Sequence, residues 1–400
     1  MNNNFDVAIV GLGPAGLKFL NLAIAKGLRV LCFEEKDLGG VCLNRGCIPT
    51  KSFLHDSSEV DFESAKARKN KIVETFRGAI ARVIKMSNVE FINTRAEILD
   101  KNIIKANGAE YKADKIIFAG GSVDIEIPTL KIDHNFILNS DDIFELGEIP
   151  KNIVVVGSGA IGVEWARILK NYGAEVTIIE KAPNILPNMD IDVSKRMERI
   201  LKSSGIKYFK DNEIVEICNN FALLKTGEKV EADKILVAVG KRPNKIDVEG
   251  VYSIGDSNPV LMLAHSAEAQ AEKLFNELFA EAKSENILKT QIPSVIYGTP
   301  EIASIGLREQ DLDDKEKYKI FNYPLLKLAK AHCDNRIDGF VKIITDSKGK
   351  ILGAHIISLE ASSLISIIAT VMHFEGTIED IKQTIFPHPT LAEAIKLAVE

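Results

Sequence analysis

Two cysteines five positions apart, Cys42 and Cys47 in LGGVCLNRGCIPTK, are the residues of this 400-residue chain best suited to chemistry. On a regular helix a C-x-x-x-x-C pair would be separated by about 7.5 Å of rise, more than bridged α-carbons usually span, so a disulfide here needs a broken helix. Gly39, Gly40, Gly46 and Pro49 supply that irregularity, and their positions favour a bridge that opens and closes. Five cysteines, an odd number in a long chain, make no structural disulfide framework, and no second pair stands at zinc-ligand spacing, so no metal site is expected. Cys32 within an apolar strand, Cys218 in a strand-like segment and Cys333 in a polar loop read as core fillers or incidental thiols.

Thiol–disulfide exchange needs a thiolate to attack and a leaving thiol to be protonated, and an imidazole that titrates near neutrality serves both directions. His388 stands five residues before Glu393 across PTLA. The two side chains meet if a helix begins near Thr390, and the carboxylate then fixes the tautomer of the ring.

These groups must be positioned by elements, and two segments of the chain are alike. Residues 5–35 and 152–181 each read as an apolar strand, a glycine-rich turn, an amphipathic helix closed by glycine, and a second apolar strand ending in an acid. Gly11, Gly13 and Gly16 match G-x-G-x-x-G, as do Gly157, Gly159 and Gly162. In such turns the first glycine permits the tight corner, the second lets backbone approach a pyrophosphate, and the third lets helix pack on strand. Glu34 follows Gly11 by 23 residues and Glu180 follows Gly157 by 23, the place where a carboxylate meets a ribose hydroxyl. A carboxylate there repels a 2′-phosphate, so a nicotinamide cofactor in the second unit should be NAD rather than NADP, with Lys181 the one cation beside it.

KIIFAGGS and KILVAVG, each a strand running into glycine, look like the last strands of the two units. From about Ile292 alternating strands and then apolar helices indicate an α+β domain. Placing Cys42 and Cys47 shortly after the first acid-ended strand puts them at the carboxyl edge of the first sheet, where doubly wound folds hold ligands.

Composition agrees with a globular chain, 46% hydrophobic and 26% charged. A net charge of −6 with signs mixed along the chain gives no basic stripe for nucleic acid. The N-terminus lacks the pattern of a secretory signal and no apolar run approaches the ~20 residues of a membrane span, so a cytoplasmic protein is expected.

LGGVCLNRGCIPTK is similar to the redox motif of the dihydrolipoamide dehydrogenases, a branch of the class I pyridine nucleotide-disulfide oxidoreductases. The resemblance continues in order through both glycine turns, VGKRPN at 239–244, VYSIGD at 251–256, MLAHSAEAQA at 262–271, TPEIASIGL at 299–307, DGFVKII at 338–344 and HPTLAEA at 388–394. It implies an α/β fold with two Rossmann-like domains, for FAD (1–121 and 246–288) and NAD (122–245), and an α+β dimerisation domain (289–400). It further implies that Cys47 faces the flavin, Cys42 exchanges with the disulfide substrate, Lys51 and Glu164 form an ion pair near the flavin ring, and Asp256 holds the ribityl chain. His388 and Glu393 would enter the thiol site of a second subunit in a homodimer, and a lipoyl-bearing protein of a 2-oxoacid dehydrogenase or glycine cleavage system would be the partner. The chain is several dozen residues shorter than typical members, after Lys51 and between Asn244 and Val251, and AGGS at 119–122 replaces the common ATGS. Rival readings are a reductase of another disulfide or of a metal ion, similar to mercuric reductase at TIFPHPTLAEAIKLA but without its C-terminal vicinal cysteines, and a non-catalytic flavoprotein.

Overall fold

The apolar run FDVAIV and the glycine turn after it begin the first of two units. In the computed structural model, which describes residues 4–218, 220–280 and 286–400, β1 (Asn4–Val10) leads through the turn to α1 (Pro14–Lys26) and to the parallel strand β2 (Val30–Glu34). Val7, Ile9, Val30 and Cys32 are fully buried, as strands of a parallel sheet covered on both faces must be. Pro14 occupies the first turn of α1, where a missing N–H costs nothing, and Gly27 ends the helix in the left-handed region.

The chain continues through α2 (Gly40–Arg45), α3 (Cys47–Asp56) and the 25-residue α4 (Phe62–Met86), whose first turn is capped by the Asp61 carboxylate. Strands β3 (Val89–Asn93), β4 (Glu97–Asp100), β5 (Ile103–Ala106) and β6 (Ala109–Phe118) complete a sheet of order β3-β2-β1-β6-β5-β4. β3, β2, β1 and β6 run parallel, while β4 and β5 form an antiparallel flap. β7 (Ser122–Asp124) pairs antiparallel with β16 (Lys241–Pro243), and β17 (Tyr252–Ser253) adds parallel to the end of β6. Helix α7 (Ala264–Phe279) lies along α1, with Phe275 and Phe279 edge-on to the buried Phe19. Residues 1–126 and 240–287 make up this unit, and residues 127–239 and 288–400 the other.

The second unit repeats the same beginning. A parallel sheet of order β11-β10-β9-β15-β8 contains β8 (Ile137–Leu138), β9 (Asn152–Val156), β10 (Glu175–Ile179), β11 (Lys207–Phe209) and β15 (Lys234–Val237), with helices α5 (Ala160–Asn171) and α6 (Ile191–Ser203). A meander of β12 (Ile214–Cys218), β13 (Phe221–Leu224) and β14 (Lys229–Glu231) is attached. The C-terminal part is an antiparallel sheet of order β18-β19-β22-β21-β20, made by β18 (Ser294–Ile296), β19 (Glu301–Gly306), β20 (Tyr318–Pro324), β21 (Phe340–Asp346) and β22 (Ile351–Ser358). Helices α9 (Ala361–His373), α10 (Ile378–Gln383) and α11 (Glu393–Val399) share its aliphatic core, in which Ile343, Ile356, Ile368 and Ile395 are fully buried. Cys333, expected in a loop, ends the short helix α8 (Ala329–Cys333). No helix among the described residues is long and apolar enough to cross a membrane.

Candidate active site

The two glycine turns are built alike, contact for contact. Gly11 (φ 95°) and Gly157 (φ 99°) each donate an N–H to the end of the neighbouring strand, at Phe33 O and Ile179 O, both 2.8 Å. A β-carbon on Gly11 would strike the Ala119 carbonyl, and one on Gly157 would come within 2.6 Å of the Ala238 carbonyl. Gly16 and Gly162 are equally constrained, each facing the carbonyl of the first glycine of its own turn. Each acid then ties its turn down. Glu34 accepts from the Leu12 N–H (2.8 Å) and the Lys36 N–H (2.9 Å), and Glu180 from the Ser158 N–H and the Ala182 N–H, both at 2.7 Å.

Neither α1 nor α5 has a side-chain cap, whereas α4 and α6 are capped by Asp61 and Asp190. The first-turn N–H groups of α1 and α5 therefore face the glycine turns open to an anion, as a dinucleotide pyrophosphate requires. The units differ in one respect: the Ser158 hydroxyl adds a third donor to Glu180 at 2.6 Å, and Glu180 is buried.

The thiol segment is fastened to the first turn. Gly39 donates its N–H to Leu12 O at 2.9 Å, and a β-carbon on Gly40 (φ 60°) would lie 2.7 Å from Gly13 Cα. Asn44 secures the same corner by donating from Nδ2 to Leu38 O (2.9 Å) and Gly40 O (2.8 Å), and its Oδ1 accepts from Arg77 of α4. Arg45 pairs with Asp37 at 2.7 Å. Gly46, at φ −143° and ψ −114°, separates α2 from α3, so Cys42 and Cys47 lie on different helices. That break sets the two free thiols as neighbours on adjoining helices.

Hydrogen bonding to Cys47, then burial, pushes the Cys42 thiol well above its ordinary range, with the Lys51 charge acting against them. Cys47 is the first residue of α3, where the helix dipole favours a thiolate, and Lys51 stands one turn further along that helix.

His388 and Glu393 come together in the second unit. His388 Nδ1 lies 2.8 Å from Glu393 Oε1, and Glu393 Oε2 accepts from the Thr390 N–H at 2.8 Å. That N–H and the imidazole hold the Glu393 carboxyl below the usual range. α11 starts at Glu393 rather than near Thr390, because the carboxylate reaches back over the turn. The imidazole is 72% exposed, so Nε2 faces outward.

Glu164, on α5, is buried and accepts from the Tyr297 N–H at 2.9 Å. Arg167, one turn on, donates to the carbonyls of Thr299 and Pro300, and burial pushes its guanidinium down to about 10 against the charge of Glu164. Lys51 belongs to the first unit and Glu164 to the second.

Asp256 accepts from the Ser122 hydroxyl at 2.7 Å, and burial raises its carboxyl above the usual range. No cluster of three or more His, Cys, Asp or Glu suited to a metal ion occurs among the described residues. Ser158, Asn44, Arg167 and Ser122 were not singled out in the sequence, and only Ser122 had a signal there, as the last residue of AGGS.

Two dinucleotide turns, one bearing a pair of exchangeable thiols, and a C-terminal antiparallel domain define a flavoprotein oxidoreductase of disulfides. Residues 5–249 match the family Pyridine nucleotide-disulphide oxidoreductase and residues 292–399 its dimerisation domain, and the chain belongs to this FAD-dependent family. It is similar to the dihydrolipoyl dehydrogenase of Mycoplasma genitalium, 32% identical over 443 aligned positions covering 98% of this chain and 97% of the relative. Leghemoglobin reductase of Glycine max is 31% identical, with 98% of this chain and 86% of that protein covered. Among solved structures, the Cu(II) complex of the HOCl-induced flavoprotein disulfide reductase RclA from Escherichia coli matches with a TM-score of 0.91 and 25% identity, over 100% of this chain and 99% of that one.

Proposed function

We propose that the chain passes electrons between a dihydrolipoamide-like dithiol and NAD through the Cys42–Cys47 pair. The observation that carries this reading is the Gly46 break, which sets the two free thiols on adjoining helices, on a corner pinned to the first glycine turn. Residues 1–121 and 246–288 serve FAD, 122–245 serve NAD and 289–400 form a homodimer.

Gly11, Gly13 and Gly16 would leave room for the FAD pyrophosphate, Glu34 would meet its ribose and Asp256 its ribityl chain. Gly157, Gly159, Gly162 and Glu180 would do the same for NAD. FAD, when bound, would supply the two-electron relay between the thiol pair and NAD.

The protein's own steps are thiol exchange. A substrate thiolate attacks Cys42 Sγ, the Cys42–Cys47 bond breaks and Cys47 leaves as a thiolate stabilised by the α3 N-terminus and by Lys51. His388 of a second subunit, oriented by Glu393, takes the proton of the second substrate thiol. That thiolate attacks the substrate sulfur held on Cys42, closing the substrate disulfide, and His388 returns the proton to Cys42. The dithiol has then lost two electrons and the cysteine pair has gained them.

Anaerobic titration of the purified flavoprotein with dihydrolipoamide, NADH and NADPH tests the reading. Expected are a long-wavelength thiolate–flavin band with dihydrolipoamide and with NADH, its loss in Cys47→Ser, and weaker reduction by NADPH, which the Glu180 carboxylate disfavours. Reduction by NADH without response to dihydrolipoamide would assign the thiols to another disulfide. Flavin bleaching with no such band would refute the thiol pathway.

A further inference from the structure

Asp256 sits in a single 3-10 turn, Gly255–Ser257, directly after β17, and this turn is held from two sides. Its peptide is fixed from α7, where the Gln270 side chain accepts the Gly255 N–H at 2.9 Å in a buried contact. Gly255 (φ 68°) allows the turn to press on α1, for a β-carbon there would lie 2.9 Å from Ala15 Cβ. Its carboxylate is fixed from the other side, by the β7–β16 ribbon through which the chain leaves and re-enters the first unit. There Ser122 Oγ donates to Asp256 Oδ2 at 2.7 Å, and the Gly121 carbonyl accepts from the Asn244 N–H at 3.0 Å and weakly from Ser257 Oγ at 3.4 Å. Lys241, across the ribbon and paired with Asp124, adds a positive field that favours the ionised carboxylate.

A carboxylate has two free torsions, and a single strong donor to one oxygen fixes the plane of the group. With Oδ2 taken by Ser122, no donor among the described residues reaches Oδ1. An oriented carboxyl oxygen with no donor of its own is suited to a hydroxyl-bearing chain.

We propose that Ser122 is a positioning residue for flavin binding, which turns the Asp256 carboxylate so that Oδ1 accepts from the polyol hydroxyls of FAD. This rests on the assignment of FAD to the first unit and adds to it the residue that orients its acid. The Ser122 hydroxyl itself touches no ligand and acts through Asp256 alone.

Flavin content on purification and the dissociation constant of FAD, from fluorescence quenching during reconstitution, are the readouts, and neither depends on turnover. Ser122→Val and Ser122→Thr have the same shape and differ by the hydroxyl. The valine variant should bind FAD about tenfold more weakly than wild type, and the threonine variant within about twofold of it. In an Asp256→Asn background, Ser122→Val should add little further loss, because the two residues act as one unit. Equal FAD affinity of the threonine and valine variants would overturn the proposal, as would a valine loss undiminished in Asp256→Asn. If wild type itself neither retains nor binds FAD, the functional assignment falls as well; flavin bound normally with no response at Ser122 sinks the positioning role alone.

Discussion

His388 and Glu393 illustrate how little of a histidine–carboxylate pair needs regular structure. Glu393 is bound at both oxygens, one by the ring and one by the Thr390 N–H, so the imidazole is held at Nδ1 and its other nitrogen is presented outward. In the proposed reaction the ring would carry a proton between thiols without turning. His388→Ala should lower dithiol turnover by about 10²- to 10³-fold while leaving NADH-to-dye activity within about twofold, since only the dithiol half needs the base. Glu393→Gln keeps the bond to Thr390 and should cost less, about tenfold. Steady-state assays with dihydrolipoamide and with a dye decide it: equal loss in both would remove the histidine from thiol exchange.

At the scale of elements, the corner formed by the first glycine turn and α2 is closely fitted. Gly40 combines a left-handed backbone with a contact on Gly13 backbone that cannot yield, so Gly40→Ala should destabilise by about 2–4 kcal/mol and release flavin. Gly108, also left-handed but with open space around it, is the control, and Gly108→Ala should cost about 1 kcal/mol and keep flavin. Thermal midpoints and the flavin-to-protein absorbance ratio would show it, and a Gly40 variant behaving like the Gly108 variant contradicts the close-packed corner.

The sequence made the twofold β-α-β pattern legible because hydrophobic period and glycine spacing are local properties. It showed the need for a helix break between the cysteines for the same reason. Side-chain contacts were not legible, whether between distant residues, as where Arg77 of α4 bonds Asn44, or between near ones, as where the Phe118 ring lies where a side chain at Gly120 would stand, which accounts for glycine in AGGS. The start of α11 was misplaced because a side chain, not backbone periodicity, closes the turn before it.

On the scale of the whole molecule, two assemblies have consequences beyond one element. Within the second unit, Lys342 of β21 is fully buried among Asp190 (2.8 Å), Asp192 (2.8 Å) and Glu309 (2.6 Å), linking the start of α6 to the antiparallel sheet. His355 is buried beside them, bonded to Ser304 Oγ at 3.0 Å and to Leu307 O at 2.9 Å, with Asp190, Lys342 and Arg308 its charged neighbours. Burial holds His355 below its ordinary 6.5, so the stability it contributes is present above that pH and lost as pH falls below it. Lys342 is raised above 10.5, so its share persists to alkaline pH and is lost only beyond that value. The thermal midpoint should therefore fall between pH 7.5 and 5.5, by on the order of 1 kcal/mol in stability, and His355→Gln should flatten that dependence. Identical slopes in variant and wild type would exclude His355 as the titrating group.

The second assembly is the proposed homodimer. Ile385, just before the His388 segment, is 92% exposed in one chain, and Phe374 is 76% exposed. An exposed isoleucine three residues before an outward-facing base is what a subunit interface would cover. If His388 serves the thiols of a second subunit, Cys42→Ser and His388→Ala homodimers are both inactive toward dithiol, but a heterodimer holds one site with both wild-type residues. Random co-expression makes about half the dimers mixed, each with one working site, so about a quarter of wild-type activity should return. If His388 instead served its own chain, every site in the mixture would lack one residue, and activity would stay at background.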